Sequence, residues 1–225
     1  MKPLNLIFLT ACLLMLSCTT SKLLTSTLPP AEVTDLKLLE PCSYISKITK
    51  GNRGEIDDSM SAVSSQLLVK VAESFKGQIP LTGKIILSDS AVNNDLEKEF
   101  ESLSFTAEKM DDVSHLQITP TLDKVLEANE ARFGLITVAT GFTRIKGNYG
   151  KEIVKGAALG LLTLGMYYQS PVKAYSTIYV MIADSKENNV AFFRKSYLQD
   201  KEPLDEAVLT KQFKDIFTDY FFTKK

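Results

Sequence analysis

The sequence predicts an α/β (α+β) fold: a single sandwich domain with a mixed β-sheet covered by helices, preceded by a signal peptide and a tether. Three observations predict it. Strand-like and helix-like runs follow in the order β-α-β-α-α-β-β-β-α, which suits one mixed sheet with helices on its faces. The run Phe133 to Ile145 is apolar on both faces for much of its length, the pattern of a central strand covered on both sides. The 225 residues are 44% hydrophobic and 24% charged, ordinary for a globular chain and enough to bury a real core.

Met1 to Ser17 carries one charge, Lys2, and 12 of its 17 residues are apolar. A short basic end ahead of such a run is the pattern of a secretory signal peptide. The run is shorter than the roughly 20 apolar residues of a transmembrane helix. After Cys18 the chain turns polar at once, through Thr19, Thr20, Ser21 and Lys22.

Met15-Leu16-Ser17-Cys18 resembles a bacterial lipobox, in which small residues precede a cysteine that is acylated and becomes the mature N-terminus. Met15 stands where Leu is usual. Leu9-Thr10-Ala11-Cys12 fits the letters better, but cleavage there leaves a core of only six residues, Leu4 to Leu9, so Cys18 is preferred. The resemblance implies palmitate at Cys18 and a membrane partner through the N-terminal lipid, since two or more acyl chains anchor stably. By resemblance to Gram-negative lipoproteins, the absence of Asp at position 19 implies the outer membrane. The absence of an acidic run behind the cysteine implies its periplasmic face. The expected organisation is a signal peptide over 1–17, a lipidated N-terminus and flexible tether over 18–34, and a periplasmic domain over 35–225. Once Cys12 leaves with the leader and Cys18 takes the lipid, Cys42 has no cysteine of its own chain to pair with, and it reads as a small buried hydrophobe, with a reactive or intermolecular thiol as the alternative.

Thr19 to Val33 is rich in Ser, Thr and Pro, which makes it the tether. A first strand is expected around 42–49. Asp57, Asp58 and Ser59 offer caps to a helix whose Met60, Val63, Leu67, Val71 and Phe75 share a face, closed by Gly77. Lys84 to Ser88 reads as a short strand and Asn93 to Leu103 as a second helix. Thr119-Pro120 is a cap followed by proline, opening a third. Ala174 to Ala183 and Val190 to Ser196 form a hairpin about the polar turn 184–189. Pro203 opens a last helix with an apolar stripe running to Phe221.

No chemistry-bearing set stands out. Net charge is −1, with 26 basic against 27 acidic side chains, so nucleic acid is not an expected partner. His115 is the sole histidine, which leaves zinc or a histidine triad without ligands. Gly147 to Lys151 fails as a phosphate loop, because Ile145 and Glu152 stand where Gly and Ser or Thr belong. The carboxylates at Asp57-Asp58, Asp111-Asp112 and Glu97, Glu99 and Glu101 read as solvated faces. No catalytic residue, metal or cofactor is expected; an enzyme without a recognisable motif is the residual alternative, which a cleft gathering carboxylates, or Arg144, Lys146 and Lys151, would favour.

The unusual segment is Gly156 to Tyr168. No charge occurs between Lys155 and Lys173, and seven of the eleven glycines lie between Gly134 and Gly165. Such a run is a buried core helix or loop, an oligomer interface, or a membrane-dipping loop. The candidate interaction residues are Gly156, Leu159, Gly160, Leu161, Leu162, Leu164, Gly165, Tyr167 and Tyr168.

A lipobox, a β-α-β-α order, the central strand Leu135 to Gly141, a glycine-rich apolar stretch and the hairpin from Tyr175 to Arg194 follow in that sequence. The pattern resembles the CsgG-like and TolB-N-terminal-like group of periplasmic lipoproteins. Asp184 and Arg194 match the group's acidic residue before the hairpin turn and basic residue on the return strand. The resemblance implies a non-enzymatic domain for protein–protein interaction in envelope assembly, with an envelope protein or further copies of itself as partner. It also allows an oligomeric secretion or channel accessory, although long alternating amphipathic hairpins are missing.

Overall fold

The computed structural model describes residues 23–24, 28–164, 166–167 and 170–222; the leader, Cys12 and Cys18 lie outside them. In chain order the first half holds β1 (Leu23–Leu24), β2 (Leu36–Leu38), β3 (Cys42–Lys50), β4 (Arg53–Ile56), α1 (Asp58–Ser74), β5 (Leu81–Lys84) and α2 (Ser90–Lys109). The second half holds α3 (Pro120–Ala128), β6 (Phe133–Arg144), α4 (Asn148–Leu162), β7 (Tyr175–Asp184), β8 (Asn189–Gln199) and α5 (Glu206–Phe217).

The strands form one mixed sheet built around β6. Along one side of β6, β2 pairs with its beginning (Leu36↔Phe133) and β3 with the rest (Cys42↔Val138 to Ile48↔Arg144), all parallel. The two are one line broken at 39–41, where Pro41 has no N–H to give a ladder. Outside that line lie β5, parallel to β2, and β4, antiparallel to β3. On the other side of β6 the antiparallel hairpin β7–β8 follows, and β1 pairs with the outer strand as Leu23↔Arg194 and Leu24↔Phe193.

Helices cover both faces. On one, Leu68, Val71 and Ala72 of α1 and Leu209, Phe213, Ile216 and Phe217 of α5 close over Leu135, Ile178, Val180 and Ile182. Phe213 lies with ring centroids 5.3 Å from Phe75 and 5.1 Å from Phe217. Gln212, also fully buried, donates from Nε2 to the carbonyls of Ser176 and Ser196 at 3.0 Å each and accepts from the Ser176 hydroxyl, which fixes α5 across β7 and β8. On the other face, Leu96, Phe100, Leu103 and Ala107 of α2 and Leu122, Val125 and Leu126 of α3 meet Ile136, Val138, Met181 and Phe193. The central strand is therefore covered on both sides, as its sequence predicts.

Caps follow the sequence signals: Asp57, Thr119 and Asp205 accept from the first turns of α1, α3 and α5. Several boundaries differ. The strand expected over 84–88 lies at Leu81–Lys84, because its partner β2 ends at Leu38; Ile85 adds a last bond from its N–H to the Leu38 carbonyl. The last helix begins after Pro203, which instead packs beside Gly141, where a Cβ would stand 2.8 Å from the proline Cβ and 2.5 Å from the Tyr175 carbonyl oxygen. Val33 is buried and the Tyr220 hydroxyl donates to the Leu28 carbonyl at 3.1 Å, so the end of the expected tether lies against the domain.

Candidate functional site

The largest departure from the predicted order is α4, a helix between β6 and β7. Gly147 makes the corner, with φ 84°, a left-handed conformation that glycine adopts without strain. Arg144 at the end of β6 secures the root of the excursion. Its guanidinium donates to the carbonyls of Val172 and Gly51 at 2.9 Å each, to the Asn148 side chain at 2.7 Å and to that of Asn52 at 2.9 Å. One cation thus ties the start of α4 and the returning chain to the β3–β4 turn.

Beyond that root α4 leaves the body. Asn148 is its one buried residue. Partial shelter recurs at Tyr149, Glu152, Gly156, Gly160 and Thr163, so the glycine stripe forms the protected side and the leucines the open side. Exposure rises to 82% at Leu161, 83% at Leu162 and 92% at Leu164, with Met166 at 78% and Tyr167 at 68%. Leu159 is exposed as well. Each such side chain forgoes about 1.5–3 kcal/mol by staying in water. The core reading of this segment is overturned: Leu159, Leu161, Leu162 and Leu164 stand in solvent, outside the two packed layers of α1 with α5 and α2 with α3. Gly165 and Tyr168 lie outside the described residues.

A second feature was not foreseen from the sequence. Between the C-terminal half of α2 and the sheet a groove of about 640 Å³ forms, lined by Phe105 of α2 and by Tyr44, Ile56, Val138 and Tyr179. Glu108 pairs with Lys195 and accepts from the Tyr179 hydroxyl at 3.1 Å. Burial pushes the Tyr44 phenol up to about 12, with the neighbouring Cys42 and the Glu101 and Glu97 carboxylates adding to it. Of β3 only Tyr44 lines the groove, so the alternation of that strand carries no signal for it.

The other singled-out groups have structural work. Asp184, 1% exposed, accepts both a 2.9 Å and a 2.7 Å bond from Arg132, not from Arg194. Arg194 instead donates to the Thr218 and Asp215 carbonyls at the end of α5. Burial holds its guanidinium below the ordinary arginine value. Cys42 is buried, and its thiol is pushed up to about 12, first by that burial and then by Glu97, Glu40 and Glu101. A thiol so placed is a poor nucleophile. Asp57 caps α1, Glu99 accepts from Thr119, and Asp112 accepts from Ser114 in the exposed loop that carries His115. Among the described residues no group of three or more His, Cys, Asp or Glu is placed to hold a metal, and no helix is long and apolar enough to cross a membrane.

No family model matches the chain, and no curated protein does. Among solved structures it is similar to the PelC dodecamer from Paraburkholderia phytofirmans, with 8% identity and a TM-score of 0.43, over 92% of this chain and 100% of that one. A variant of that dodecamer gives 7% identity and the same TM-score, over 91% and 99% of the two chains. The LpoB C-terminal domain from Salmonella enterica shares 6% identity at a TM-score of 0.29, over 77% of this chain and 86% of that one. None of the three is named as a CsgG-like protein, and likeness at this level assigns no function.

Proposed function

We propose that this chain is a membrane-anchored lipoprotein, acylated at Cys18, whose domain faces the periplasm from the outer membrane and acts by binding in envelope assembly rather than by catalysis. The observation that carries this reading is the clustering of Leu159, Leu161, Leu162, Leu164 and Tyr167 on one exposed excursion from a sheet that is otherwise largely covered. A contiguous apolar patch on an otherwise well-packed domain marks a contact surface. The engagement of Arg132 with Asp184, Lys195 with Glu108 and Arg144 with the root of α4 is consistent with it, because these charged groups hold structure together.

Deleting Leu159–Leu164 tests the reading. The expected result is an unchanged circular dichroism spectrum and thermal midpoint, with loss of the envelope species that the parent chain crosslinks to in cells. Collapse of the fold, or an unchanged crosslinking profile, contradicts it. The anchor is tested separately. Cys18→Ala should abolish palmitate labelling, and labelling that persists in that variant assigns the lipid to Cys12.

A further inference from the structure

The geometry points to a second membrane contact: the tip of α4 and the turn after it dock on the surface of the bilayer that carries the N-terminal anchor. This deepens the reading of the same segment and rests on the proposed anchor for its orientation, while its chemistry rests on the residues themselves.

The shape of the apolar surface favours lipid over a protein groove. A helix that docks in a groove presents one stripe, at spacings of three and four. Here Leu161 and Leu162 are adjacent, about 100° apart around the axis, and both are open to solvent, as are Leu164, Met166 and Tyr167 beyond the helix end. A tip that is apolar on several sides needs covering from several sides, which a fluid hydrocarbon phase supplies. At 15 residues α4 is too short to span a bilayer, so it enters the interface only.

Charge sorts by depth along the same excursion. Lys146, Lys151, Lys155 and Lys173 stand exposed at its base, where Glu152 pairs with Lys155 at 2.6 Å and the Asp200 carboxylate accepts from the Lys173 backbone N–H at 3.0 Å, four lysines against two acids. No charge lies between Lys155 and Lys173. An apolar tip, a tyrosine beside it and a lysine collar behind it match the layers of an anionic membrane surface, where each nearby lysine adds attraction.

The chain direction brings the anchor to the same end. Tyr175, where the excursion returns, pairs with Phe142 of β6 and with Gln199 of β8. Because β1 is antiparallel to β8, through Leu23↔Arg194 and Leu24↔Phe193, the first residue of β1 is the one nearer the Gln199 end. Cys18 precedes Leu23 by five residues, a reach of at most about 18 Å, and Arg194 precedes Gln199 by five as well. The Leu23 end of β1 and the root of α4 therefore face the same end of the sheet, within that reach of an anchor at Cys18, while the β7–β8 turn carrying Glu187 lies at the other. Arg144 holds the root of α4 in place, so little ordering remains to be done on docking.

The sequence contains no tryptophan, so Leu162→Trp places a single reporter at the tip. The full chain is reconstituted into vesicles of three parts phosphatidylethanolamine to one part phosphatidylglycerol, with and without brominated acyl chains. The expected result is a blue-shifted emission that falls by about half or more on brominated lipid, as for an interfacial side chain among acyl chains. Glu187→Trp, at the far end, should stay unquenched. Adding Lys151→Glu and Lys155→Glu should weaken the quenching, and equal quenching overturns the electrostatic half of the proposal. An unquenched tip on vesicle-bound protein overturns the docking. A blue shift that is unquenched and grows with protein concentration also overturns it and assigns the tip to a second copy. The mass of the N-terminal peptide reports acylation independently. Acylated protein with an unquenched tip sinks the docking alone, and unacylated protein with a quenched tip sinks the anchor alone.

Discussion

β6 and α4 are consecutive elements, separated by residues 145–147, and both are apolar, yet they end in opposite surroundings. β6 buries every residue from Phe133 to Ala139, whereas α4 buries Asn148 and little else. The difference does not come from composition. It comes from placement: β6 has neighbours on both edges and helices on both faces, whereas the other four helices form those layers and α4 stands outside them. An apolar run is buried by its own chain only when the architecture leaves it a place.

That comparison breaks first on the β6 side. Phe213→Ala removes a fully buried ring that covers the sheet between Phe75 and Phe217. It should cost about 3–5 kcal/mol, read as a fall in the urea midpoint. A loss comparable to that of a surface change would place the α5 face outside the core. Arg132→Ala comes next. It strands the buried Asp184 carboxylate, and because the guanidinium is itself 34% exposed, the expected cost is about 2 kcal/mol. Arg132→Lys should recover part of it.

A smaller effect separates inside from outside by pH. Cys42 has its thiol raised from 9.0 to about 12 by burial. The folded state thus holds the proton that the unfolded chain releases. The stability contribution is present below the ordinary thiol value and is lost as pH rises through the window toward about 12. Cys42→Ala should flatten the fall in the denaturation midpoint over that window. The native thiol should also resist iodoacetamide near a pH of about 8.5 until the protein is unfolded. Rapid native labelling would contradict the buried setting.

How much was legible in the sequence follows the same division. Where burial and periodicity agree, the elements were readable: β3, α1, α3, β6 and the β7–β8 hairpin lie close to where Tyr44, Val71, Leu122, Val138 and Ile178 point. Edge elements were not. Arg53 to Ile56 is exposed throughout and has no alternation to betray a strand, because its partner β3 supplies the register. The segment Gly156 to Tyr168 could be singled out by its missing charges, but not placed, since burial of an apolar run depends on free space elsewhere in the fold. The ties of Arg132 to Asp184 and of Arg144 to residues 51, 52, 148 and 172 join positions up to 93 apart, which no local pattern encodes.

The smallest expected effect is the most direct test. If α4 stands outside the cooperative fold and serves as a contact surface, the combined variant Leu161→Ser, Leu162→Ser and Leu164→Ser should unfold in urea at the parent midpoint, within about 0.5 kcal/mol. A loss of several kcal/mol, on the scale of Phe213→Ala, would show that these leucines are core after all.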